Sequence, residues 1–297
     1  MAALLRLEAK TLLAPAKINL TLEVLAPRSD GYHGLRSLVV PAALFDRIEI
    51  TSQSNSFSFT STAPELAEGN LVVRALERSG ALNRSPSVVL YKEIPVGAGL
   101  GGGSSDAASI LIEAMDGGFG DLGDRDWLEI ARSLGSDVPL FLCRTAALVE
   151  GTGERVTALG APPAWWAVIV HPEIFVSTRE AYALLDRERP NPPAGARSRS
   201  RTIAAGQALQ RADLAAIVDA QCNDFHEIIC AAHPVIADAV ALLDAAGARK
   251  AMLSGSGSAV FTLCADEPEA RALVERLPPS LRARAYAVPF VRNDAWA

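Results

Sequence analysis

Cysteine is scarce in this chain: four residues in 297, at positions 143, 222, 230 and 264, with no C-x-x-C pair. That excludes a disulfide framework and fits a reducing cytoplasm. Long apolar runs are also lacking. No stretch of about 18 apolar residues occurs, so no transmembrane helix is expected, and Arg6, Glu8 and Lys10 interrupt the N-terminal segment before an export-signal core forms. Basic residues are in deficit, with 28 Lys plus Arg against 34 Asp plus Glu and a formal net charge of -6. General binding to nucleic acid or to an anionic membrane needs many phosphates neutralised, so neither partner is expected. What the chain has in quantity is apolar residues, 49% of the total. This is the composition of a soluble globular protein, at a length that suits two domains.

Alternating Ile18, Leu20, Leu22 and Val24 predict a strand over 18–25, and Leu38 to Val40 a second. A helix is expected over 69–79 and a strand from Ser87 to Ile94, ending at Pro95. Ala108, Leu111, Ile112 and Met115 fall at the i, i+3, i+4, i+7 spacing of an amphipathic helix beginning near Ser104, with Ser104 and Ser105 as caps. Another helix covers 126–134, and Pro139 argues against a long strand after it. The proline-rich step Gly160-Ala161-Pro162-Pro163 is the expected domain boundary, dividing the chain into residues 1–161 and 162–297. The second half reads as a strand at 166–170, helices between 178 and 247, strands at 251–253 and 259–264, a helix at 267–276 and a strand at 283–289. That order suits a βαββαβ sandwich. Arg187 to Arg201, with three prolines and five arginines, reads as a solvated surface loop.

The strongest local signal runs Pro95-Val96-Gly97-Ala98-Gly99-Leu100-Gly101-Gly102-Gly103-Ser104-Ser105-Asp106. Five glycines in seven residues, placed between a strand and a helix, expose backbone N–H groups and let the chain approach a polyphosphate closely. A flexible surface turn is the bland alternative. The run is no Walker A loop, because no Lys-Ser or Lys-Thr follows it; Gly97, Gly99 and Gly102 do satisfy G-x-G-x-x-G, which keeps a dinucleotide-binding Rossmann site open. Lys17 and Asn19, two apart, share one face of a strand, either as functional groups or as an ordinary exposed face. Asp137 sits on a short turn between Leu134 and Pro139, where a helix-terminal role is the alternative. Ser254-Gly255-Ser256-Gly257-Ser258 lies between two strands, as an anion-binding turn or a tight hairpin.

Together, Pro15-Ala16-Lys17-Ile18-Asn19-Leu20, Pro95 to Asp106 and Leu253 to Ser258 resemble the three motifs of the GHMP kinase superfamily. Asp30-Gly31-Tyr32-His33 and Leu134-Gly135-Ser136-Asp137-Val138-Pro139 resemble the branch whose acceptor is a methylerythritol carrying a cytidine diphosphate group. The resemblance implies an α+β, two-domain GHMP kinase fold, with an N-terminal ribosomal protein S5 domain 2-like domain and a C-terminal ferredoxin-like βαββαβ domain. It implies ATP as co-substrate with Mg²⁺, and γ-phosphoryl transfer to the acceptor's tertiary 2-hydroxyl in non-mevalonate isoprenoid synthesis. Asp137 is then the general base and Lys17 its partner. Asn19 positions the hydroxyl or the aspartate, and the 95–105 loop holds the triphosphate. Tyr32, His33 and Tyr182 take the cytidine end, where aromatic faces suit a planar base. A monomer or weak homodimer is expected. Two positions depart from the common pattern, Asp106 where Asn is frequent and Ser136 where Ala is frequent. A carboxylate beside a triphosphate is repulsive unless it faces away, caps the helix or approaches Mg²⁺.

Cys222, His226 and Cys230 recur every four residues, but eight residues of helix separate the cysteines by about 12 Å. That is too far for one Zn²⁺, so they read as core residues. His171 and His233, each before a proline, read as structural. The competing functions are another GHMP small-molecule alcohol kinase, an NAD(P)-dependent oxidoreductase and a non-catalytic RNA-binding module, the last opposed by the acidic balance.

Overall fold

The computed structural model describes residues 10–29, 31–51, 56–66, 68–189 and 200–292. Asp30 and most of the arginine-proline segment, residues 190–199, therefore lie outside the described residues, as does the N-terminal segment before residue 10.

The first half of the chain holds β1 (Lys10–Pro27), β2 (His33–Thr51), β3 (Ser58–Ser61), α1 (Leu71–Ser79), β4 (Ser87–Tyr91), α2 (Gly102–Met115), α3 (Trp127–Leu134), α4 (Val138–Leu142), β5 (Ala146–Gly151) and β6 (Arg155–Gly160). The second half holds β7 (Trp166–Val170), α5 (Thr178–Glu188), α6 (Arg201–Gln210), α7 (Leu214–Ala220), β8 (Cys222–Asn223), α8 (His226–Ala232), α9 (Pro234–Ala245), β9 (Met252–Leu253), β10 (Val260–Cys264), α10 (Glu267–Arg276), α11 (Pro279–Arg282) and β11 (Ala285–Pro289).

A seven-stranded sheet is built on the long antiparallel β1–β2 pair, with β4 then β3 beyond β2, and the β5–β6 hairpin joined to the other part of β2. The second sheet has the order β11-β7-β10-β9, all its pairs antiparallel, which is the ferredoxin-like arrangement expected for the C-terminal half. Between them, β8 crosses back from the second half to pair in parallel with β1 at Thr21 and Leu22. Ile18, Leu20, Leu38 and Val40 of the first sheet share one buried cluster with Ile169, Phe261 and Leu263 of the second. Each such side chain contributes about 1.5–3 kcal/mol by leaving water, so the two sheets are joined through a common core. A second cluster packs α1, α2, α3 and α4 onto Ile48, Ile50, Val88 and Leu90.

Local signals set several boundaries. Asn70 caps α1 by accepting from Val72 N, and Gly80 ends it in the left-handed conformation. Asp126 caps α3 and Ser177 caps α5. Four expectations are corrected. Gly101, with φ 73°, takes the N-cap of α2, so Ser104 and Ser105 lie inside its first turn and cap nothing. The same helix is not amphipathic: Ala107, Ala108, Ile110, Leu111, Ile112 and Ala114 are all buried while Met115 is exposed, because sheet, α1 and α4 surround it. Cys222 belongs to a strand rather than to the helix carrying His226 and Cys230, so these three do not share a helical face. Finally, β5, the next strand after the glycine run and its helix, pairs antiparallel with β2 and β6 rather than in parallel with β4, so the run does not open the parallel βαβ unit a Rossmann site requires. Among the described residues, no single helix is long and apolar enough to cross a membrane.

Candidate active site

Lys17 and Asn19 are both buried, which rules out the exposed-face alternative. They are held there by the glycine loop, because Lys17 N donates to Leu100 O at 2.9 Å. The neighbouring carbonyls are also taken up inside the protein. Ala98 O accepts from Ala259 N at 3.0 Å, Gly99 O from Ser254 Oγ at 3.1 Å, and Gly101 O from Ser105 N at 2.9 Å. Four successive carbonyls from 98 to 101 thus face protein donors, and the loop is fastened to β1, to the 254–259 turn and to α2.

This fastening explains two of the glycines. A Cβ on Gly99 would lie 2.2 Å from Ser254 O, and one on Gly101 would lie 2.9 Å from Lys17 Cγ, at φ values of 76° and 73°. Both positions need the left-handed backbone and the missing side chain. Of the other loop residues, Ala98 and Leu100 point into the core, Gly97 and Gly103 are exposed, and Pro95, Gly102 and Ser104 are half-buried. Ser105 is fully buried, its hydroxyl without a hydrogen-bond partner.

Beside the loop, Lys17 Nζ donates to Asn19 Oδ1 at 2.5 Å and stands 4.0 Å from Asp137 Oδ2. Asn19 Nδ2 in turn donates to Ser37 Oγ at 2.8 Å, and Ser37 Oγ to Thr21 O at 2.6 Å, so the amide is clamped from both sides. Burial pushes the Lys17 pKa below its ordinary value, and the Asp137 carboxylate offsets only part of that. Asp137 stands at the N-terminus of α4 with its side chain 43% exposed and makes no capping bond. The third motif closes from above: Asn223 Nδ2 donates to Leu253 O and Gly255 O, both at 2.8 Å, and a Cβ on Gly255 would lie 3.2 Å from Lys17 Nζ.

Behind the loop lies a second charged cluster. Lys92 Nζ donates to Asp46 Oδ2 and, at 2.8 Å, to Asp106 Oδ2; all three side chains are buried. Asp46 Oδ1 also accepts from Glu93 N and Ile94 N, at 2.7 and 2.9 Å, just where the chain enters the loop. Asp106 is thus held by Lys92 in a cluster that lies against Gly102, and ties α2 to the segment that follows β4. Burial and the nearby Asp46 carboxylate push its pKa up to about 8, against the pull of Lys92. Burial alone would depress Lys92, but its two carboxylates outweigh that and hold its pKa above the ordinary value.

A cleft of about 970 Å³ runs from Lys17, Asp137, Gly99 and Gly101 to an aromatic end. There the His33 and Tyr182 rings stack with centroids 5.5 Å apart, and Phe225 meets Tyr182 edge-on at 5.0 Å. His33 Nδ1 contacts Leu25 O at 2.9 Å and His33 Nε2 contacts Asp186 Oδ1 at 2.8 Å. Tyr32 is 69% exposed and lines the cleft. Sequence reasoning missed Ser37, Asn223, Phe225 and Asp186. Only Asp186 carried a signal, one helical turn beyond Tyr182.

Among the described residues no three His, Cys, Asp or Glu side chains cluster as a resident metal site would require. An ion carried by a polyphosphate needs only one or two protein oxygens.

The family profile of the GHMP kinases N terminal domain matches residues 70–145, and that of GHMP kinases C terminal matches residues 208–281. The 4-diphosphocytidyl-2-C-methyl-D-erythritol kinase of Symbiobacterium thermophilum is 38% identical over 275 residues, covering 90% of this chain and 95% of the relative. The enzyme of the same name from Citrifermentans bemidjiense is 39% identical, covering 88% and 91%. A crystal structure of 4-(cytidine 5'-diphospho)-2C-methyl-D-erythritol kinase superposes with a TM-score of 0.76 at 34% identity, covering 95% of this chain and 99% of the other. With this identity over nearly the full length of its relatives, and both halves matched by profile, the chain belongs to the 4-diphosphocytidyl-2-C-methyl-D-erythritol kinase family of the GHMP kinases.

Proposed function

We propose that this chain transfers the γ-phosphoryl group of ATP to the 2-hydroxyl of 4-diphosphocytidyl-2-C-methyl-D-erythritol, as a step of non-mevalonate isoprenoid synthesis. The observation that carries this reading is the Lys17–Asp137 pair, 4.0 Å apart, in a cleft whose other end is the His33–Tyr182 stack. Asp137 takes the hydroxyl proton as the hydroxyl oxygen bonds to the γ-phosphorus; the bond to the β,γ-bridging oxygen breaks, and ADP leaves. Lys17 holds the Asp137 carboxylate in place and meets the negative charge that develops on the transferred group. Asn19 acts on the acceptor side by fixing the Lys17 ammonium, to which it is bonded at 2.5 Å.

The backbone of residues 95–105 takes the triphosphate, with its carbonyls drawn inward at four successive positions. The half-buried Ser104 at the start of α2 would offer an oxygen to a Mg²⁺ ion accompanying the nucleotide, and such an ion would supply charge neutralisation to the transferring phosphate. Tyr32, His33 and Tyr182 take the cytosine. The catalytic demand is mostly positioning, since two anionic reactants must be brought together in line.

The test is a kinase assay with ATP and 4-diphosphocytidyl-2-C-methyl-D-erythritol, read by product mass and by phosphorus NMR. The expected product is one phosphoryl group heavier, with the new phosphate on the 2-hydroxyl. No transfer to this acceptor, together with transfer to another small alcohol, would move the chain to a different substrate.

A further inference from the structure

The acceptor just proposed has three parts in a row: a base, a diphosphate and the hydroxylated chain that reacts. The two ends have counterparts in the cleft, the His33–Tyr182 stack and the Lys17–Asp137 pair. The doubly charged middle has none so far. Helix α5 runs along the cleft between these ends. At its C-terminal part, Asp186 contacts His33 Nε2 at 2.8 Å and Tyr182 stacks on the same ring. At its N-terminus, Thr178 Oγ1 meets Ser256 Oγ at 3.2 Å, next to Gly255, whose position closes on Lys17 Nζ. Arg179 lies between, on the same helical face as Tyr182 and Asp186 at i+3 and i+7. It is about 4.5 Å from Tyr182 along the helix axis, it is exposed, and it is one of the residues that line the cleft.

We infer that Arg179 binds the diphosphate of the acceptor and so selects for a nucleoside diphosphate over a neutral nucleoside. The inference rests on the acceptor reading above. Among the described residues lining the cleft, the lysine and arginine side chains are Lys17 and Arg179, and Lys17 is already engaged with Asn19 and Asp137 at the reacting end. Asp137 and Asp186 also line the cleft, so among the described residues Arg179 is the cation that offsets the repulsion a diphosphate would meet between two carboxylates. A guanidinium presents a fork of N–H donors matched to phosphate oxygens, which a lysine ammonium does not. The position is also favourable for an anion because it is the first turn of an eleven-residue helix, capped by Ser177.

The experiment is calorimetric binding of CDP and of cytidine, to the wild-type chain and to Arg179→Met and Arg179→Lys, with the ATP site filled by a non-hydrolysable ATP analogue. Arg179→Met is expected to weaken CDP by about 10- to 100-fold while leaving cytidine within about twofold. Arg179→Lys should recover part of the loss. In steady state the loss falls on the acceptor KM, with the KM for ATP unmoved. Equal weakening of cytidine and CDP would overturn the inference, since Arg179 would then only support the helix; so would an unchanged CDP affinity. A wild-type chain with no preference for CDP over cytidine would instead sink the acceptor reading itself. A preference that survives Arg179→Met would sink only the role of Arg179.

Discussion

Two lysines flank the glycine loop, and their surroundings are opposite. Lys17 is buried against the cleft with one carboxylate, Asp137, at 4.0 Å and itself 43% exposed. Burial wins, and the Lys17 pKa falls. Lys92 is buried behind the loop between two carboxylates that are themselves sealed from water, and its pKa rises. A buried lysine flanked by two acidic side chains is a tie between elements, here β2, α2 and the segment after β4. A buried lysine with too little compensation keeps part of its field for another anion, which is what an arriving phosphoryl group supplies. The loop between them is therefore fixed from behind by one ammonium and served from the front by the other.

The largest effect should come from the front. Asp137→Asn is expected to lower the single-turnover rate of phosphoryl transfer by about 10³-fold, while the exposed position leaves unfolding free energy within about 0.5 kcal/mol. A stopped-flow or quench measurement with both substrates saturating checks it, and a rate within a few-fold of wild type would remove Asp137 from the proton transfer.

A smaller effect, of opposite character, is expected behind the loop. The Asp106 carboxyl has its pKa raised from 3.8 to about 8, so its protonated form is the one the fold favours. Its contribution is complete below the ordinary carboxylate range and is lost as pH rises towards about 8. Asp106→Asn, which keeps a neutral acceptor for Lys92, should therefore gain on the wild type by up to about 4 kcal/mol between pH 5 and pH 8.5. Denaturant unfolding at the two pH values reads this directly. A gain that instead grows towards low pH would show that Asp106 is ionised in the fold.

Part of the fold and of the front of the site was legible in the sequence, and the part that was not has a common cause. The second sheet could be read from local patterns: the expected strand at 166–170 coincides with β7, and the expected helix at 267–276 with α10. The convergence of Lys17, Asp137 and the glycine run followed from the motif resemblance. By contrast, the β5–β6 hairpin and the two-residue β8 exist through pairing with β2 and β1, far away in sequence, and carry little signal of their own. The burial of Lys17 and Asn19 depends on the loop lying over them, through Lys17 N and Leu100 O. Asp106 was open among three roles because its cluster draws Asp46 from β2 and Lys92 from just after β4, and nothing in its own neighbourhood names them. Phe225 entered the aromatic end for the same reason, delivered by the crossing of β8 beside β1.

The contrast between the two lysines is tested most directly by making Lys17→Met and Lys92→Met side by side and measuring both single-turnover rate and unfolding free energy. Lys17→Met should lose about 10²- to 10³-fold in rate with no loss of stability, whereas Lys92→Met should lose about 3–5 kcal/mol of stability by leaving the buried Asp46 carboxylate and the Asp106 side chain without their shared donor. A Lys17→Met chain that is destabilised yet transfers phosphate normally, or a Lys92→Met chain as stable as wild type, would contradict the account.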